Sequence, residues 1–226
     1  LIFVAYSSLY ISFIENESSI IMSKKHTKTI NYNFYHWGPF LYKTRLAESE
    51  LNSLKKLNTR VNFNDKYNEE HLAGLIKDEY KLDVKKVFSI INPYLHGYSQ
   101  AYLQHRLEPI GKNIELISSW VNYMTKFESS AMHVHHEDLS FVIFTQIPKG
   151  LKEEWENTLP GSGTKPGAIN FKYTLGIQKY CINQHNFFPE EGDFFIFPAD
   201  LHHYVNSFKC DGERISISGN LRVNSI

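Results

Sequence analysis

Apolar residues recur along the chain in two different rhythms, and the change falls near residue 110. Across residues 44–108 they return every three or four positions, the period of helices with one buried face. Ala47, Leu51, Leu54 and Asn58 form a weak stripe, and Val84, Val87, Phe88, Ile91, Leu95, Tyr98 and Tyr102 form a stronger one. Pro93 should kink the second helix or mark its start, because proline has no amide to donate inside a helix. From Ile114 onward the pattern shifts to short β-rich runs: Ile114–Tyr123, Ser140–Ile147, Ala168–Tyr173, Asp193–Phe197 and Arg214–Leu221. Turn-forming clusters at 160–163, 165–167 and 191–193 separate several of them. Helices followed by strands, with no helices between the strands, predict a mainly β protein with N-terminal helices. The expected architecture is an antiparallel sandwich or barrel over about 113–222, with a helical layer over about 44–108 on one face. Nothing alternates as a Rossmann sheet would, and no glycine-rich phosphate loop is present.

Composition narrows the function without naming it. In 226 residues, 24 Lys and Arg balance 24 Asp and Glu, so a role in coating nucleic acid or anionic membrane is not expected. Two cysteines, Cys181 and Cys210, make no disulfide framework and no C-x-x-C motif, so a cytoplasmic, reducing setting is expected. Leu1 to Ile14 are mostly apolar but too few to span a bilayer, and they lack the basic start and cleavage site of a secretory signal. With Met22 a plausible start, residues 1–21 are expected to be an upstream extension without function, and 22–226 a single domain.

Eleven histidines remain to be explained, and five fall in two clusters. One is His133, His135 and His136, followed by Glu137 and Asp138; the other is His202 and His203. Residues two apart on a strand share a face, so His133 and His135 can aim two imidazoles at one point, with a third ligand arriving from a distant strand. Such a site suits iron, zinc, copper or nickel. The last strand alternates: Arg214, Ser216, Ser218 and Asn220 lie on one face, Ile215, Ile217 and Leu221 on the other. A guanidinium beside hydroxyls suits a bound carboxylate, although Arg214 alone would more simply pair with an acid at the surface.

His203, ten residues, Arg214, one residue and Ser216, with a histidine cluster some seventy residues upstream, resembles the Fe(II)/2-oxoglutarate-dependent oxygenases. Stretches at 35–39, 120–122, 133–135 with 138–142, 189–193 with 197–198, and 214–220 resemble one branch found among phage and marine bacterial sequences. The resemblance spans roughly residues 33–222 and implies a double-stranded β-helix, a jelly-roll barrel with iron at its mouth. It also implies Fe(II), with 2-oxoglutarate and dioxygen as cosubstrates, and hydroxylation of a small-molecule or peptidyl substrate, giving succinate and CO2. His133 and His203 match the first and distal metal ligands, and Arg214 and Ser216 the pair that holds the remote carboxylate of 2-oxoglutarate. The middle ligand departs from the usual His-x-Asp or His-x-Glu. In order of preference, His135 itself binds, Asp138 folds back, or the register shifts to His135 and Glu137. Phe127, Trp120, Tyr123 and Phe195 are candidate cavity walls, each of which ordinary core packing would also explain. The rival readings are a cupin-like metal enzyme without 2-oxoglutarate and a non-catalytic β-barrel binding module. Substrate and oligomeric state stay open.

Overall fold

The computed structural model describes residues 38–58, 76–159, 165–174 and 182–225. The expectation for residues 1–21 therefore lies outside the described residues. Their elements run in the order β1 (Tyr42–Arg45), α1 (Glu48–Leu57), β2 (Asp78–Lys81), α2 (Val84–Arg106), β3 (Asn113–Met124), β4 (Ser130–His133) and β5 (Leu139–Gln146). There follow α3 (Leu151–Glu156), β6 (Ile169–Lys172), β7 (Gln184–Phe187), β8 (Asp193–Pro198), β9 (His202–Val205) and β10 (Arg214–Asn224). The strands form two antiparallel sheets, one of six in the order β1-β8-β5-β10-β3-β2 and one of four in the order β4-β9-β6-β7. This is the double-stranded β-helix expected from the sequence.

Strand alternation sorts the core into two layers. Phe141, Ile143, Phe194, Ile196, Ile215 and Ile217 face outward from the large sheet and pack beneath α1 and α2 with Leu54, Val87, Ile91, Leu95 and Tyr98. Val142, Phe144, Phe195 and Phe197 face inward and meet Ile169 and Phe171 of the small sheet. Gly219 has no room for a side chain, since a Cβ there would come within 2.5 Å of both the Phe141 ring and the Ser118 carbonyl. That close approach accounts for the glycine in the final strand.

The N-terminal region differs from its expected all-helical form. β1 opens it, and β2 interrupts it and pairs with β3, Glu79 lying opposite Asn122. Edge-strand pairing was invisible to a search for helical period, because four-residue strands carry almost no periodicity of their own. α2 begins at Asp83, whose carboxylate accepts from the amides of Lys85 and Lys86 at 2.9 and 3.2 Å. It then runs through Pro93 to Arg106. Ser89 and Pro93 both lie on the exposed side, where water can satisfy the carbonyl that proline leaves unbonded. The helix ends where Leu107 turns left-handed at φ 62°. The short helix α3, unforeseen in the sequence, sits between β5 and β6. Among the described residues no helix is long and apolar enough to cross a membrane.

Candidate metal centre

β4 and β9 pair with His133 directly opposite His203, which brings the two histidine clusters together across the small sheet. His135 follows β4 by two residues, and its amide donates to the Ala199 carbonyl at 2.8 Å. The Ala199 amide in turn donates to the Asp138 carbonyl at 3.1 Å. This reciprocal pair pins the turn before β5 and holds His135 beside the strand-borne histidines. Ligand nitrogens of His133, His135 and His203 all lie within 4.8 Å of one another. The ring centroids of His133 and His203 are 4.2 Å apart, and each is 5.1 Å from that of His135.

Hydrogen bonding sets which nitrogen each ring offers. Nδ1 of His133 donates to the Ala131 carbonyl at 2.7 Å, and Nδ1 of His203 to the Leu201 carbonyl at 2.9 Å. A carbonyl can only accept, so both rings keep Nε2 free as a lone-pair donor. Burial holds all three rings neutral, with repulsion from neighbouring imidazoles added at His135 and His203. It lowers the proton affinity of His133, takes His135 down to about 4, and takes His203 down to about 3. Three convergent neutral imidazoles fit a divalent transition metal, iron included.

The acidic alternatives for the middle position turn elsewhere. Glu137 forms a two-pronged pair with Arg222, with Nε–Oε2 at 3.2 Å and Nη2–Oε1 at 3.1 Å. Oδ2 of Asp138 accepts the Val223 amide at 2.7 Å. Both carboxylates are therefore engaged with the end of β10, and neither belongs to the histidine cluster. His136 is exposed, and His202, opposite Lys172, lies one position away from the cluster.

The histidines open into a cavity of about 430 Å³ whose lining also includes Trp120, Asn122, Arg214, Ser216 and Glu79. Arg214 is only 1% exposed, and its guanidinium lies 4.5 Å from the centre of the Phe144 ring. Nη1 meets the Met124 sulfur at 3.8 Å, while Nε and Nη2 have no hydrogen-bond partner among the described residues. Burial pulls its proton affinity down to about 9. An unanswered buried cation is costly, and a carboxylate is the ligand that a guanidinium fork fits best. Ser216, buried on the same face of β10, presents a hydroxyl to the same cavity.

Two features escaped the sequence reading. Phe144 supplies the aromatic floor under Arg214. Glu79 places a carboxyl in the cavity, from a stretch expected to be helical. Its strand is short, and only pairing with β3 aims the side chain inward. Among the candidate walls, Trp120 lines the cavity and stands 5.7 Å from His135, ring to ring. Tyr123 instead packs under the helices, Phe195 lies in the core between the sheets, and Phe127 is 66% exposed.

Residues 118–220 match the sequence model of the putative 2OG-Fe(II) oxygenases. No curated protein sequence matches the chain. A viral collagen prolyl hydroxylase from Paramecium Bursaria Chlorella virus-1, solved as its 2OG complex, superposes with a TM-score of 0.51 at 11% identity, covering 81% of this chain and 96% of that one. A Pseudomonas putida prolyl-4-hydroxylase gives 0.51 at 13% identity, with 81% and 92% covered. HygX from Streptomyces hygroscopicus, with nickel and 2-oxoglutarate bound, gives 0.50 at 8% identity, with 81% and 82% covered. At such identities the likeness is one of fold. The sequence match runs from β3 to β10 on that fold, so this part of the chain is similar to the putative 2OG-Fe(II) oxygenases and the chain shares the fold of solved prolyl hydroxylases.

Proposed function

We propose that the protein hydroxylates a C–H bond of a small-molecule or peptidyl substrate, with His133, His135 and His203 as the metal ligands and Arg214 and Ser216 as the holders of 2-oxoglutarate. The observation that carries this reading is Arg214, a buried guanidinium with two unbonded nitrogens facing the cavity that the three histidines share. Bound Fe(II) would supply dioxygen activation coupled to conversion of 2-oxoglutarate to succinate and CO2. The chain's own tasks are simpler. The Nδ1 hydrogen bonds of His133 and His203 fix ring orientation and keep each Nε2 free. Arg214 and Ser216 orient the cosubstrate by its far carboxylate, and the phenylalanine-rich interior keeps that contact dry. A peptidyl proline or other residue is the substrate class we favour, since prolyl hydroxylases stand among the proteins of this fold. A cytoplasmic setting belongs to the same reading, because Fe(II) and sparse cysteines suit a reducing compartment.

The test is succinate formation by mass spectrometry with Fe(II), 2-oxoglutarate and candidate peptides, preceded by titration of 2-oxoglutarate into manganese-loaded protein. Binding followed by substrate-stimulated succinate is expected. Absence of both heat and thermal shift on adding 2-oxoglutarate would overturn the assignment.

A further inference from the structure

Glu79 has no part in the chemistry described so far, yet it lines the same cavity as the histidines and Arg214. It is 8% exposed, and its carboxyl has neither a hydrogen bond nor an ion pair with any described residue. Of the described residues around the cavity it is the only acid. Its position follows from register: Glu79 lies opposite Asn122, and Asn122 opposite Ser216, so the three form a row across β2, β3 and β10. With neighbouring strands about 4.8 Å apart, Glu79 stands about 10 Å across the sheet from the serine at the anion site. That separation leaves room for a second ligand beside the cosubstrate. A neutral donor could be met by an amide side chain such as that of Asn122. A carboxyl in the same wall costs desolvation that only a cation repays well.

We infer that Glu79 is the substrate-recognising residue of the cavity and selects a substrate bearing a basic nitrogen, an ammonium or guanidinium, near the carbon to be oxidised. The inference rests on the function proposed above and narrows its substrate to a cationic small molecule or peptidyl side chain, in place of a neutral peptidyl proline. The basic nitrogen can belong to a peptide side chain or to a free amine, and the probes separate the two.

The experiment uses full-length protein loaded with manganese and 2-oxoglutarate. N-acetyl-lysine amide and agmatine are titrated by calorimetry, against the neutral N-acetyl-norleucine amide. At least one cationic probe should bind at least about tenfold more tightly than the neutral one, as expected for a charge-assisted hydrogen bond. Binding of the lysine amide alone marks a peptidyl source, and of agmatine alone a free amine. Glu79→Gln should abolish the preference while leaving manganese and 2-oxoglutarate affinity unchanged. Equal binding of neutral and cationic probes, or failure of both cations to bind wild type, overturns the inference. Loss of metal or 2-oxoglutarate affinity in Glu79→Gln also overturns it, by assigning the carboxylate to charge balance at the loaded centre. Failure of wild type to bind 2-oxoglutarate at all would instead fall on the function itself, and it is read before any probe is added.

Discussion

Arg214 keeps its charge inside the barrel with an aromatic ring below it and, among the described residues, no carboxylate beside it. Removing one partner of a desolvated charged pair costs about 2–5 kcal/mol, or roughly 30- to 4000-fold in affinity. Arg214→Ala should therefore weaken 2-oxoglutarate binding at least about thirtyfold in calorimetry while sparing metal affinity. Arg214→Lys should fall between, retaining the charge without the fork. Without cosubstrate the sign reverses: Arg214→Met should melt at a higher temperature than wild type, because an apolar side chain relieves an unpaired charge. Glu79 gives a second test at this scale. Burial pushes its pKa from 4.5 up to about 7, so the folded chain holds a proton that the unfolded chain has already released. Folded protein binds more protons in that window, and the Glu79 contribution to stability accordingly falls as pH rises from about 4.5 to 7. The full cost, about 3 kcal/mol at about 1.4 kcal/mol per pKa unit, is present above pH 7. Glu79→Gln should flatten that part of the urea-denaturation pH profile and stabilise metal-free protein at pH 8. A variant that tracks wild type throughout would show the carboxyl to be well solvated.

At the scale of elements, the histidine cluster proposed to hold the metal depends on one strand pairing and one turn. The β4–β9 register sets His133 against His203, and the Ala199 clamp adds His135 from outside the strand. Ligand variants should separate cleanly when cobalt or manganese binding is measured. His203→Ala and His135→Ala should each abolish tight binding, whereas His202→Ala should be mild. Asp138→Asn should change metal affinity less than about twofold, since its oxygen serves the Val223 amide and an amide oxygen can do the same. A large loss in Asp138→Asn would revive a carboxylate ligand and sink the three-histidine set.

For the molecule as a whole, ligand binding and folding are linked. A ligand at a hundred times its Kd adds about 2.7 kcal/mol to stability. 2-Oxoglutarate should raise the melting temperature of manganese-loaded wild type and do so far less in His203→Ala or Arg214→Ala. An equal rise in all three would place the ligand elsewhere. Much of the architecture was legible without coordinates. Alternation in β10 and in the first half of β3 reports which face meets apolar matter, while β5 and β8, buried on both faces, show as short continuous apolar runs. The Val87, Ile91, Leu95 and Tyr98 stripe reports α2 in the same way. The spacing from His203 to Arg214 and Ser216 was equally readable, because it is counted along the chain, although its two ends lie on strands of different sheets, β9 and β10. The short strands β1, β2, β4, β7 and β9 were not, since their existence depends on partners far away in sequence. Glu79 was hidden for that reason: its neighbours in the chain suggest helix, and only the distant β3 makes it face the cavity. The middle position of the metal site was likewise undecided between His135, Glu137 and Asp138. Sequence determines which donors stand near one another along the chain. Tertiary hydrogen bonds decided their directions, because β10 offers Arg222 and the Val223 amide to the two acids, while Ala199 holds His135 toward His133 and His203.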